Sequence, residues 1–147
     1  MRIQLPDVNV LVAMHDPDHL HHKRAFDWFI NEGSQGWATC PLTENGFLRV
    51  FTNTKYPNTL KGLAKTFSIL DTMMARYGAT HHFWEDRISL RDETLFRRTE
   101  IVGHKQITNV YLLGLCQSYD AVLVTLDTRV SVSALATPHA DLLRLLV

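Results

Sequence analysis

The chain has 147 residues, 46% of them hydrophobic, and its fifteen Lys and Arg are balanced by fifteen Asp and Glu. That size and apolar content suit one globular domain with a real core. The zero net charge excludes the whole-molecule field by which a strongly basic domain is drawn to nucleic acid or anionic membrane, so any such binding needs a local patch or a bound cation.

Cys40 and Cys116 are far apart in the chain, with no CxxC partner and no export signal ahead of them, and are expected as reduced, buried thiols of a cytoplasmic protein. Apolar runs such as "VYLLGLC" fall far short of the roughly 20 residues that span a bilayer. No repeat, low-complexity segment or Pro/Gly/Ser-rich linker divides the chain, which reads as a single domain over 1–147.

In chain order, "RIQL" at 2–5 predicts a short strand stopped by Pro6, and "DVNVLVAMHD" predicts a helix capped by Asp7. Residues 19–30 place Ala25, Phe26, Phe29 and Ile30 on one face at helical spacing. "GWATC" at 36–40 is a second strand, ended by Pro41. Thr43 is then expected to cap a helix that holds Glu44 in its first turn and buries Phe47, Leu48 and Phe51. Leu60, Leu63, Phe67, Leu70, Met74 and Tyr77 mark the clearest helix, stopped at Gly78.

"HHFWE" at 81–85 is a further strand, and Ser89 with Asp92 forms a weak capping box for a helix running to about Arg98. Thr108 is expected to cap "NVYLLGLCQSY", a helix apolar nearly all round and therefore buried. "AVLVTLD" at 121–127 is β-branched and apolar throughout, as a strand covered on both faces of a parallel sheet must be. Strand and helix alternate along the chain, which predicts an α/β fold with a central, mostly parallel sheet flanked by helices.

Ligands of such sheets bind beyond the carboxyl ends of the strands. Asp7, Glu44 and Asp127 each follow a predicted strand, and Asn109 joins them if its helix starts at the same edge. Four oxygen-bearing side chains from four segments would make a site for Mg²⁺ or Mn²⁺, which favour carboxylate, carbonyl and water ligands. A metal there suits phosphodiester hydrolysis, because it generates a nucleophilic hydroxide and offsets charge on the phosphate and the leaving oxygen. Taken singly, each residue also has a structural role open to it: Asp7 and Thr43 as helix caps, Glu44 as a first-turn acid, Asp127 as a turn former.

Four blocks in order, "LPDVNVLVAMHDPDHLHHKRAFDWF", "WATCPLTENGFLRVF", "GHKQITNVYLLGL" and "AVLVTLDTRV", resemble the motif blocks of the PIN-domain ribonucleases, specifically the VapC-type toxins of bacterial toxin–antitoxin pairs. The resemblance covers nearly the whole chain and is least distinctive near 53–80. It implies a small PIN-like three-layer domain, a Mg²⁺- or Mn²⁺-dependent endoribonuclease site acting on RNA (tRNA, rRNA or mRNA), a homodimer and a cognate antitoxin. Asp7 in "DVN" matches the first acid of that site, Glu44 in "TEN" the second and Asp127 in "TLD" the fourth. Asn9 matches a polar position able to orient Asp7 or a bound water, and Arg129 is a candidate for phosphate contact or an exposed loop residue.

Where this chain reads "ITN", the family usually has "TD", so Asn109 stands at the third acid. An amide still offers a carbonyl oxygen to a cation but carries no charge and cannot act as a base. The residue is compatible with an active three-carboxylate site, with a catalytically silent module that binds an antitoxin and RNA, and with a toxin disarmed by substitution. A haloacid-dehalogenase-type phosphatase also places an Asp after its first strand, but Asn9 stands where its second acid belongs. His15, His19, His21 and His22 are expected as solvated surface residues rather than metal ligands. Trp28, Trp37 and Trp84 are expected in the core rather than as a base-stacking platform.

Overall fold

The computed structural model describes residues 2–57 and 62–146. Five strands, β1 (Gln4–Pro6), β2 (Trp37–Thr39), β3 (His81–Phe83), β4 (Val122–Thr125) and β5 (Leu143–Leu145), form one sheet in the order β3-β2-β1-β4-β5. Every neighbouring pair is parallel, with Leu5 opposite Leu123 and Trp37 opposite His81. The five α-helices are α1 (Val8–His15), α2 (His22–Asn31), α3 (Pro41–Thr52), α4 (Leu63–Tyr77) and α5 (Ile107–Ser118).

Strand alternation sends Leu5, Ala38 and Leu123 to one face, where α5 packs through Val110, Leu112, Leu113 and Leu115. Trp37 and Val124 point to the opposite face, against α1 through α4, where Val10, Phe29, Phe47, Phe51, Leu70 and Met73 are buried. The expected three layers and both-face burial of β4 are thus present, and Trp28, Trp37 and Trp84 are core residues.

Pro6 ends β1, and the ladder continues one step further through the Asp7 N–H, which donates to the Val124 carbonyl at 3.0 Å. The Asp7 carboxylate then caps α1 by accepting the Val10 N–H at 2.9 Å. Gly46 sets the approach of α3 to the start of α1, since a Cβ there would lie 2.5 Å from a methyl of Val8.

Several boundaries differ from expectation. Helix α3 is capped by Cys40, not Thr43; Thr43 occupies the third helical position and its Oγ1 accepts the Cys40 N–H at 3.0 Å, while Pro41 takes the first turn, where no N–H is needed. Helix α5 starts at Ile107 rather than after Thr108. The turn before it is already helical over His104–Gln106, and the Gln106 side chain satisfies the Val102 and Gly103 N–H groups. Helix α4 begins at Leu63; Leu60 lies outside the described residues.

The predicted helix to Arg98 is absent. Asp92 holds a tight turn by accepting the Thr94 N–H, and Phe96 is drawn out of helical geometry into an antiparallel bridge with Leu135. Its ring is buried on Gly114 of α5, where any side chain would collide with it. That long-range contact overrides a weak local signal. The face expected of α2 is also split: Ala25 and Phe29 are buried, but Phe26 and Ile30 remain 46% and 43% exposed.

Candidate active site

Asp7, Asp127 and Asn109 come to one edge of the sheet because β1 and β4 are adjacent and α5 precedes β4. Thr125 couples the two acids. Its hydroxyl donates to Asp7 Oδ2 at 2.6 Å and accepts the Asp127 N–H at 3.0 Å. Sequence reasoning missed Thr125, although its place two residues before Asp127 in "TLD" was visible.

Asp7 is only 3% exposed, and both of its side-chain hydrogen bonds come from neutral donors. Burial raises its pKa above the usual carboxylate range and the nearby charge of Asp127 adds to the rise, against the lowering effect of Thr125 and of the Val10 and Asn9 backbone N–H groups. Asn9 therefore acts on Asp7 through its backbone. Asp127 is shifted the other way, because Arg129 donates to both of its oxygens: Nε at 3.0 Å and the backbone N–H at 2.9 Å to Oδ1, and Nη2 at 3.2 Å to Oδ2. Asn109 and Asp127 share a cleft of about 100 Å³ with Lys105, Gln106, Arg129 and Ser131.

Glu44 is held differently. The Thr39 hydroxyl donates to Glu44 Oε2 at 2.5 Å and lies 2.8 Å from His81 Nε2. A carboxylate only accepts, so the Thr39 proton points to Glu44 and His81 must present Nε2–H to the hydroxyl. Among the described residues, no three His, Cys, Asp or Glu side chains converge closely enough to hold a metal ion. The structure thus brings together Asp7, Asp127 and Asn109, and keeps the Glu44 carboxylate on the Thr39–His81 pair of the neighbouring strands.

The donors nevertheless fit a hard divalent cation in kind. A buried carboxylate beside a second acid, served only by neutral donors, is an electrostatic demand for positive charge, and the Asn109 carbonyl adds a third oxygen type that such ions accept. The thiols offer no alternative: Cys40 and Cys116 are free and buried, with the Cys40 pKa pushed up to about 11 and that of Cys116 well above its ordinary value, in both cases chiefly by burial.

Among the described residues the histidines also form no metal group. His19 Nδ1 accepts the His21 N–H at 3.0 Å, and His22 Nδ1 lies 2.7 Å from the Ala13 carbonyl. His15 is not a solvated surface residue as expected. Its Nε2 is buried without a hydrogen-bond partner among the described residues, and burial lowers its pKa to about 4.

A five-stranded parallel sheet between helical layers, with acids from successive βα junctions at its carboxyl edge, defines an α/β protein of the PIN-like class. No model of a known protein family matches the chain. Among curated proteins it is 41% identical to ribonuclease VapC38 of Mycobacterium tuberculosis over 134 residues, covering 91% of this chain and 92% of that one. It is 36% identical to ribonuclease VapC44 over 130 residues, covering 88% and 89%, and 32% identical to ribonuclease VapC29 over 137 residues, covering 93% and 91%, both from the same organism. The chain belongs to the VapC family of PIN-domain ribonuclease toxins.

Proposed function

We propose that this protein is a metal-dependent endoribonuclease toxin that hydrolyses RNA phosphodiester bonds and is neutralised by a cognate antitoxin. The observation that carries the reading is Asp7: a buried carboxylate beside Asp127, hydrogen-bonded only by neutral donors, at the edge where an α/β sheet binds its ligands. Asp7 and Asp127 would hold Mg²⁺ or Mn²⁺ with the Asn109 carbonyl, and Glu44 would join on leaving Thr39 or act through a bound water. When bound, the cation supplies a nucleophilic hydroxide at neutral pH and offsets phosphate charge.

The protein's own residues support this reading. Thr125 locks the Asp7 rotamer from below, and the Val10 N–H locks its other oxygen. Asn109 contributes an oxygen but takes no proton, so a proton released at the site must pass to a carboxylate or to solvent. Buried thiols with raised pKa values are poor nucleophiles, which supports attack by water rather than a covalent route.

Antitoxin binding has a candidate surface in a groove of about 480 Å³ between α2 and α4, lined by Met14, Phe26, Ile30, Ile69, Met73 and Tyr77. Phe26 keeps nearly half its surface in solvent there, as a groove for an amphipathic helix requires. Phe47 and Phe51, by contrast, are core residues at 0% and 1% exposure. Among the described residues no helix is long and apolar enough to cross a membrane.

The second reading, a silent module that binds antitoxin and RNA without cutting, is favoured by Asn109 and by the tie between Glu44 and Thr39. The test is cleavage of total tRNA and a mixed single-stranded RNA pool by protein purified free of antitoxin, with Mg²⁺, Mn²⁺ or chelator. Metal-dependent cutting that Asp7→Ala abolishes supports the enzyme; cutting only by Asn109→Asp supports the silent module.

A further inference from the structure

The cleft that Asn109 shares with the acid Asp127 also gathers groups that suit an anion. Lys105 and Arg129 bring positive charge, Gln106 and Asn109 bring amide donors, and Ser131 brings a hydroxyl. The Ser131 oxygen accepts the Ser133 N–H at 3.2 Å, which leaves its own proton to donate outward. In a chain with no net charge, the two cations and one acid, Asp127, on the wall of this small cleft give it a local positive excess.

Arg129 belongs to both neighbours at once. It lines this cleft, yet its guanidinium is turned onto Asp127 in a two-pronged ion pair, with Nε on Oδ1 and Nη2 on Oδ2. The Arg129 side chain is 77% exposed, so the pair is screened, weak and easily exchanged. The backbone N–H of Arg129 holds Oδ1 independently at 2.9 Å, which keeps the Asp127 carboxylate oriented when the guanidinium departs. A divalent cation taking Asp127 as a ligand would meet the positive charge of the guanidinium already paired with that carboxylate. The nearest compensating anion for the displaced guanidinium would be a phosphate in the cleft, whose oxygens match the planar fork as the carboxylate does.

We propose that Arg129 is a movable counter-ion: it pairs with Asp127 in the free protein and transfers to an RNA backbone phosphate in the Lys105–Ser131 cleft when a divalent cation reaches the acids. The inference rests on the metal-site reading above. It makes Arg129 oppose metal binding in the absence of RNA and favour RNA binding in the presence of metal. Metal and RNA then bind cooperatively through one side chain, with the coupling equal in both directions.

The experiment titrates the full chain with Mn²⁺ alone, and separately measures binding of a non-cleavable 2′-O-methyl single-stranded RNA with and without Mn²⁺, for the wild type, Arg129→Gln, Arg129→Lys and Lys105→Gln. Arg129→Gln is expected to bind Mn²⁺ about 3- to 5-fold more tightly, because a competing surface charge is gone. In Mn²⁺ it is expected to bind the RNA about 10-fold more weakly, because a charge-assisted phosphate contact is lost. Arg129→Lys should fall between, and Lys105→Gln should weaken RNA binding while tightening Mn²⁺ less than Arg129→Gln does, because it is the Arg129 guanidinium that pairs with Asp127. Arg129→Gln weakening both ligands, or moving neither, overturns the proposal while leaving the metal site standing. If the wild type binds Mn²⁺ no better than Asp7→Ala does, the metal-site reading itself fails and this inference falls with it.

Discussion

The two ends of helix α1 each bury an ionisable side chain, and they are built on opposite principles. Asp7 caps the N-terminus, where the helix dipole favours its charge, and its oxygens are filled by Val10 and Thr125. His15 closes the C-terminus, where the dipole would also favour charge, but its Nε2 has no partner and its ring meets Phe47 edge-on at 5.5 Å. Desolvation acts against the charged form at both ends, raising the Asp7 pKa and lowering that of His15. The lesson is that burial alone does not mark a site: Asp7 is buried beside another acid at the carboxyl edge of the sheet, whereas His15 lines a groove with Phe26, Phe29 and Met73.

The sharpest way to break the contrast is to delete each group. Asp7→Ala is expected to reduce RNA cleavage by about 10²–10³-fold, the usual cost of removing one preorganised charge-stabilising group. His15→Leu should leave cleavage by the free protein unchanged, so an equal loss in the two variants would erase the distinction. Its effect belongs instead to stability. A histidine whose folded pKa lies near 4 against 6.5 when unfolded contributes stability that is present above pH 6.5 and lost as pH falls toward 4. The loss is about 3 kcal/mol at 1.36 kcal/mol per unit, so chemical denaturation of His15→Leu should show a flatter pH dependence across that window.

Asp7 has the opposite sign. Its raised folded pKa means that the protonated form stabilises the fold below the unfolded value of 3.8, and that this stability is lost as pH rises through the folded pKa. Asp7→Asn is therefore expected to be more stable than the wild type at neutral pH in chelator, while keeping a cap-competent side chain. Adding Mn²⁺ should raise the melting temperature of the wild type but not of this variant. A wild type that gains nothing from Mn²⁺ would place Asp7 in the same structural category as His15.

Much of the acidic end of α1 was legible in the sequence, because a short strand, a proline and a capping Asp are neighbours in the chain and obey local rules. The buried strand β4 and helix α5 were legible too, from apolar composition alone. What was not legible depended on contacts between distant residues. Phe96 leaves its predicted helix for a seat on Gly114, and β5, a three-residue edge strand with Leu145 partly exposed, is too short for its pattern to reveal it. The hydroxyls of Thr39 and Thr125 decide where Glu44 and Asp7 point, across 5 and 118 residues of chain respectively. A strand-end position tells where an acid's backbone lies; only its partners tell where its carboxylate goes.

Asn109 carries the smallest expected effect and the most selective one. It stands on the first turn of α5 beside Asp127, half-buried on the cleft wall. Asn109→Asp adds a negative charge without changing size, at a helix N-terminus where the dipole favours it, so the fold should tolerate the change. In the absence of metal the new carboxylate would add repulsion to Asp127, and to Asp7 beyond it, and the Asp7 pKa should rise further. In its presence the extra anionic ligand should tighten Mn²⁺ binding by about 10-fold, or roughly 1.4 kcal/mol. Both effects point the same way in a calorimetric titration against pH: Asn109→Asp should bind Mn²⁺ more tightly than the wild type, and with a steeper dependence on pH, because more protons must leave the acids before the cation can enter. A tighter but pH-independent gain would mean that the new carboxylate binds metal without sensing Asp7, and so that the acids at this edge do not form one cluster.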